Sequence, residues 1–294
     1  MNAINAAFLS AFYVGLSAAF RQGLGEAQSY WEKVAMLVPS TTSENLYPWL
    51  KELPGFREWV GDKVVSLLEV EGYRLKNKDF ESTLGVKRSQ LEDDQSGTFA
   101  PMAKQHGYAA KVWPDEGVFG ALKDGFSGLC FDGKPFFSAN HPVGEVAVSN
   151  IIDGASTPWY LLCTKMPLRP LIFQQRKAPV FVQQTDPQAD TVFKRGEYLY
   201  SAEARGSFGY GFWQLAVASK AELNAENYAA ARTRMTGLKD AFGRPLNLQP
   251  NLLVVPSTLE GAGRKLLLNQ VAAGGETNEW FGTAELLVSG WVDA

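Results

Sequence analysis

Two histidines, two cysteines and a few adjacent acids are the residues with which this chain could make or break bonds. Neither His106 nor His141 has a second histidine at metal-ligand spacing, so a histidine-based metal centre is not expected. A Ser-His-Asp arrangement around His141 stays open, but no nucleophile-elbow pattern accompanies it. In the run Ala139-Asn140-His141-Pro142, His141 reads as a turn residue. Cys130 and Cys163 are too few for a disulfide framework or a thiolate cage, and read as free, buried thiols. Gly206, Gly209 and Gly211 suggest a phosphate loop only until their neighbours are read. Phe208, Tyr210, Phe212 and Trp213 interleave them and no Lys-Ser or Lys-Thr follows, a pattern of close backbone packing in a strand. Asp93 with Asp94, and Asp115 with Glu116, fit helix ends better than a catalytic pair. No catalytic, cofactor-binding or metal-binding residue is expected.

The element that would position most of these groups is a long helix over residues 95–126. Phe99, Ala103, His106, Ala110 and Trp113 share one face at spacings of three and four. Ser96 or Thr98 would cap it, with Asp94 near its positive end. Pro114 should kink it or divide it into two helices meeting end to end, with Asp115 and Glu116 in the renewed first turn. Unbroken, it would span roughly 45 Å at ~1.5 Å per residue, the length of a strut.

Before this helix, Ile4, Ala7, Phe8, Ala11, Phe12 and Ala19 mark an amphipathic N-terminal helix with no basic leader, of a chain made inside the cell. The aromatic stretch 22–55 reads either as an arm across a surface or as an irregular part of the core. Residues 63–92 alternate as a β-hairpin: Leu68, Val70, Tyr73 and Leu75 go out, Phe80, Leu84 and Val86 return, and Lys76-Asn77-Lys78-Asp79 forms a polar tip. Two strands alone cannot hide an apolar face. Tyr73, Phe80 and Leu84 are therefore expected against a neighbouring subunit, with Lys76, Asn77 and Lys78 reaching beyond the parent molecule. Phe8 and Phe12 are further candidates for intersubunit contact. Strands follow at 159–164, 171–176, 180–183, 191–194, 198–206 and 211–219. A helix opens at Asn224, and a strand at 252–255, a helix from Ser257 and a strand at 284–288 complete an α+β chain.

A length of 294 residues predicts about two domains. A net charge of −3 leaves no general footprint for nucleic acid, and no stretch is long and apolar enough to span a bilayer.

Five strings carry a resemblance: WLKELPGFREWVGDK at 49–63, GYRLKNKDFESTLGVKR at 72–88, CFDGKPFFSANHP at 130–142, ARGSFGYGFWQLA at 204–216 and PNLLVVPSTLEGAGRKLL at 250–267. Together they resemble the Mu-like phage and prophage major head subunit family, over nearly the whole chain. The resemblance implies the tailed-phage and herpesvirus capsid fold. That means an N-terminal arm at 1–56, an extended hairpin loop at 57–94, a peripheral domain at 95–218 that includes the 95–126 spine helix, and an axial domain at 219–294. It also implies a non-enzymatic subunit without cofactor that assembles with itself into hexamers and pentamers of an icosahedral shell. Expected partners are a scaffold, a portal, a decoration protein, and packaged double-stranded DNA touched non-specifically, with no membrane. The shell would be put together in the bacterial cytoplasm and reside in the virion. Alternatives are another virion part such as a tail subunit, or an enzyme or carbohydrate-binding module.

Overall fold

A computed structural model describes residues 4–48, 50, 72–93, 96–272 and 274–293. Its long helix, α3 (Phe99–Lys123), runs unbroken through Pro114, with single 3-10 turns at Ser96–Thr98 and Asp124–Phe126. The expected division into two helices does not occur. Ala103, Gly107, Val118, Phe119 and Leu122 are buried on both sides of the proline, and this packing outweighs the one backbone hydrogen bond that proline cannot make. Asp94 lies outside the described residues.

The N-terminal helix α1 (Ala6–Glu26) starts at Asn5, whose side chain accepts the Phe8 N–H at 2.9 Å. It lies along α3 closely enough that a Cβ on Gly23 would meet the Lys104 carbonyl oxygen at 1.9 Å. A Cβ on Gly107 would likewise stand 2.0 Å from the Phe20 oxygen. Leu9, Leu16 and Phe20 fill the seam, and Tyr13 donates its hydroxyl to the Phe181 carbonyl at 2.8 Å.

Beneath these helices lies a four-stranded sheet in the order β1 (Ala35–Pro39), β9 (Leu171–Gln184), β10 (Glu197–Tyr210), β4 (Lys78–Lys87). Only β1 and β9 run parallel. The segments expected separately at 171–176 and 180–183 form one strand, in which the ladder skips Ala178 and Pro179. Residues 191–194, expected as a strand, belong instead to α4 (Asp190–Arg195), which ends at left-handed Gly196 (φ 64°) and joins β9 to β10. Here the local β-branched pattern yields to the chain reversal between two long strands. A short helix α2 (Arg88–Glu92) follows β4.

The hairpin expected over 63–92 is not formed by its described part, 72–92. β3 (Tyr73–Lys76) pairs with β2 (Glu44–Tyr47), whereas β4 pairs with β10. Alternation marked the strands at 73–76 and 78–87 but said nothing of their partners, and residues 88–92, inside the expected hairpin, form the short helix α2 instead. Lys76-Asn77-Lys78 is therefore a corner between two sheets. Residues 63–71 lie outside the described ones.

A second sheet has the order β13 (Glu285–Val288), β12 (Leu252–Val255), β8 (Trp159–Leu162), β11 (Ala216–Ser219), β7 (Ile151–Ile152). Nearly every residue of β8, β11 and β12 is fully buried. The helices α5 (Ala225–Thr236) and α6 (Glu260–Leu267) follow β11 and β12; Asn224 caps α5 by accepting the Asn227 N–H at 2.9 Å. A ribbon of β5 (His141–Val143) and β6 (Val146–Val148) precedes β7. A division at residue 218 would fall inside β11, and the strands on either side of it share this sheet.

Part of the aromatic stretch 22–55 packs into the core. Trp31, Val34 and Tyr47 are buried in the same apolar cluster as β8, β9 and β12.

Candidate functional site

The groups singled out for chemistry are mostly in structural use. His106 is half-buried on α3, its Nδ1 2.6 Å from the Ser82 hydroxyl, which ties α3 to β4; burial pulls its pKa down. Asp115 is 3% exposed, and its carboxylate accepts the backbone N–H groups of Tyr30 (2.9 Å) and Trp31 (2.7 Å). Expected as a first-turn acid, it is instead a mid-helix anchor for the 3-10 turn Trp31–Lys33. Burial raises its pKa despite those bonds. The glycines of 206–211 allow close approach: a Cβ on Gly206 would lie 2.6 Å from the Gln174 carbonyl and one on Gly211 2.4 Å from that of Arg169.

His141 is no exposed turn residue. It is fully buried, stacked on Trp213 with ring centroids 4.0 Å apart, and bonded through Nδ1 to Asp132 Oδ2 at 2.7 Å. Its Nε2 faces the Phe136 carbonyl at 3.3 Å, and the Cys130 thiol donates to Asp132 Oδ1 at 3.1 Å. Burial, with Asp132 beside it, pushes the Cys130 thiol far up, so it is no poised nucleophile. Burial would raise Asp132 as well. The bonds from His141, Cys130 and the Lys134 N–H outweigh that and hold the carboxyl below its usual value. Sequence reading missed Asp132 and Trp213. The Asp132-Gly133 turn was the one local sign, and Trp213 comes from the far side of the chain. Cys163 is a separate, buried free thiol.

The expected intersubunit residues are split. Phe80 is half-buried against Trp113 (centroids 4.7 Å) and Phe208 (6.2 Å), so its ring has partners in its own subunit. Leu84 and Phe8 pack at the edge of the α1–α3–β10 cluster, and Phe12 meets Phe99 and Tyr200 edge-on. The Tyr73 hydroxyl accepts the Tyr210 N–H at 3.1 Å, and burial pushes its pKa up to about 12. Asn77 is buried. It donates to Ser40 Oγ (2.8 Å) and the Thr42 carbonyl (2.9 Å) and accepts from Gln174 Nε2 (2.7 Å). Of the corner residues only Lys76 and Lys78 face solvent. The most exposed apolar side chains lie elsewhere. Phe193 on α4 is 81% exposed, Phe242 and Val146 65%, Leu129 59% and Val271 57%. They stand at the tip of the β9–β10 pair and on the loops around the second sheet.

The groups singled out for chemistry thus serve the subunit's own structure. Comparison with known proteins agrees. Residues 9–292 match the Mu-like prophage major head subunit gpT family. The chain is 40% identical to the major capsid protein of Escherichia phage Mu over 287 residues, 93% of this chain and 94% of that one. Its fold is similar to a chain from the procapsid of bacteriophage JBD30 (TM-score 0.86, 39% identity, 98% and 100% of the two chains covered). It is also similar to one from the JBD30 capsid decorated with minor capsid protein trimers (TM-score 0.80, 31% identity, 92% and 93%). The chain belongs to the Mu-like prophage major head subunit family and is a structural capsid protein of the virion, with the fold of phage major capsid proteins.

Proposed function

We propose that this subunit closes a shell of hexamers and pentamers around double-stranded DNA. The observation that carries this reading is the likeness of the whole fold to a chain of the JBD30 procapsid, which covers 98% of this chain. Phe193, 81% exposed at one end of the subunit's long strands, and Val271 on a loop of the second sheet are the candidate contacts with neighbouring copies. The division into peripheral and axial parts follows the two sheets better than residue 218: the four-stranded sheet with α1 and α3 forms one part, and the five-stranded sheet with α5 and α6 the other. Lys76, Lys78 and the outer faces of Phe8, Tyr73, Phe80 and Leu84 are secondary contact candidates. A scaffold and a portal are expected in the host cytoplasm, where the shell is assembled. A decoration protein is supported by the decorated JBD30 capsid. Packaged DNA is met without sequence preference by a subunit whose net charge is −3.

The test is Phe193→Asp and Val271→Asp, each measured twice. Thermal unfolding of the free subunit should change by less than about 0.5 kcal/mol, as for exposed positions generally. Particle yield by sedimentation should fall sharply. Normal yield from both variants would remove these side chains from the interface.

A further inference from the structure

The head-subunit role leaves one set of chemically matched groups without a purpose: Cys130, Asp132 and His141, whose ligand atoms all lie within 4.8 Å of one another. The cluster is buried and closely packed: His141 Nδ1 lies 2.7 Å from Asp132 Oδ2 and Nε2 lies 3.3 Å from the Phe136 carbonyl, on a ring that is 0% exposed. The other carboxylate oxygen lies 3.1 Å from Cys130 Sγ, which brings a third donor to the same place.

We infer that Cys130 Sγ, an Asp132 carboxylate oxygen and His141 Nδ1 form a binding site for one divalent cation of the zinc class. One thiolate, one imidazole and one carboxylate make a donor set that zinc accepts. Tetrahedral ligands at roughly 2.0–2.3 Å from zinc stand about 3.5 Å apart, so the 2.7 Å Nδ1–Oδ2 contact would open by about 0.8 Å and the 3.1 Å Sγ–Oδ1 contact by about 0.4 Å. The Nε2–H contact to a backbone carbonyl is the arrangement by which proteins orient a metal-binding imidazole, and the stacked Trp213 fixes the ring plane. A fourth position is left for water. Uptake replaces the S–H bond of Cys130 by a sulfur–metal bond and releases that proton to solvent, so binding weakens as pH falls. An ion here would tie the 128–137 turn to β5, beside the strands of the second sheet.

The full chain, purified without chelator, should carry about one zinc-class ion per subunit by elemental mass spectrometry. After chelation and titration with cobalt(II), it should show the near-ultraviolet thiolate-to-cobalt band. That band should vanish in Cys130→Ser and persist in Cys163→Ser. Folded wild-type protein that takes up neither zinc nor cobalt would overturn the site and leave the three side chains a hydrogen-bonded cluster. A cobalt band that survives Cys130→Ser would overturn it equally, by placing the ion elsewhere. Should the variants fail to fold, the wild-type metal content and spectrum decide alone.

Discussion

The crossing of α1 over α3 makes a prediction of opposite sign at two glycines of one helix. Gly107 and Gly120 both sit inside α3, and glycine to alanine in a helix interior gains roughly 1 kcal/mol from backbone propensity. At Gly120 a Cβ would meet nothing within 4 Å, so Gly120→Ala should stabilise the subunit by up to about 1 kcal/mol. At Gly107 the same atom would stand 2.0 Å from the Phe20 oxygen, 2.8 Å from its carbon and 2.9 Å from the Leu24 nitrogen. All three are backbone atoms, so no side chain can swing away and the helices must separate by roughly 1 Å. Overpacking of this kind costs about 1–3 kcal/mol, here near the upper end because Leu16 and Phe20 lose contact along the seam. The net expectation for Gly107→Ala is a loss of about 2 kcal/mol. Denaturant unfolding of the unassembled subunit reads both values. A Gly107→Ala midpoint at or above wild type would refute the close crossing, whatever Gly120→Ala does.

Other expectations follow from the same contacts. Phe80→Asp should destabilise the free subunit by about 2–4 kcal/mol, because it places a charge against Trp113 and Phe208; unchanged thermal unfolding would return Phe80 to the surface. Asp115→Ala should cost about 2–3 kcal/mol by stranding the N–H groups of Tyr30 and Trp31. The raised pKa of Asp115 makes its contribution complete below the unfolded carboxyl value and progressively lost as pH rises through the folded one. Wild type should therefore gain stability over Asp115→Asn on acidification from pH 7 toward 4. A pH-independent gap in paired unfolding curves would contradict the assignment.

What the sequence showed and what it hid divide along physical lines. α3, α5 and β12 were legible because their signals are local: periodicity at three and four, Asn224 before a helical run, and four consecutive apolar residues before Pro256. The partner of β4 was not legible. Alternation at Phe80, Leu84 and Val86 fixes a strand and its faces, but pairing with Glu197–Gly206 is a property of the folded chain. Segment 191–194 looked like a strand because Thr191, Val192 and Phe193 favour one, while the turn between β9 and β10 needed a helix there. The Cys130–Asp132–His141 cluster escaped for a related reason. Spacing rules look for repeated ligand types, and here three different donors meet only once His141 is buried under Trp213. The head-subunit character was legible, because five long strings identify a family where no single residue could.

The most direct test of the central claim is cryo-electron microscopy of particles from bacteria producing the full chain. Closed icosahedral shells are expected, with walls of hexamers and pentamers of this subunit and with Phe193 and Val271 covered by neighbouring copies. Tubes built from the chain, or discrete monomers under conditions in which the other head proteins are present, would contradict it.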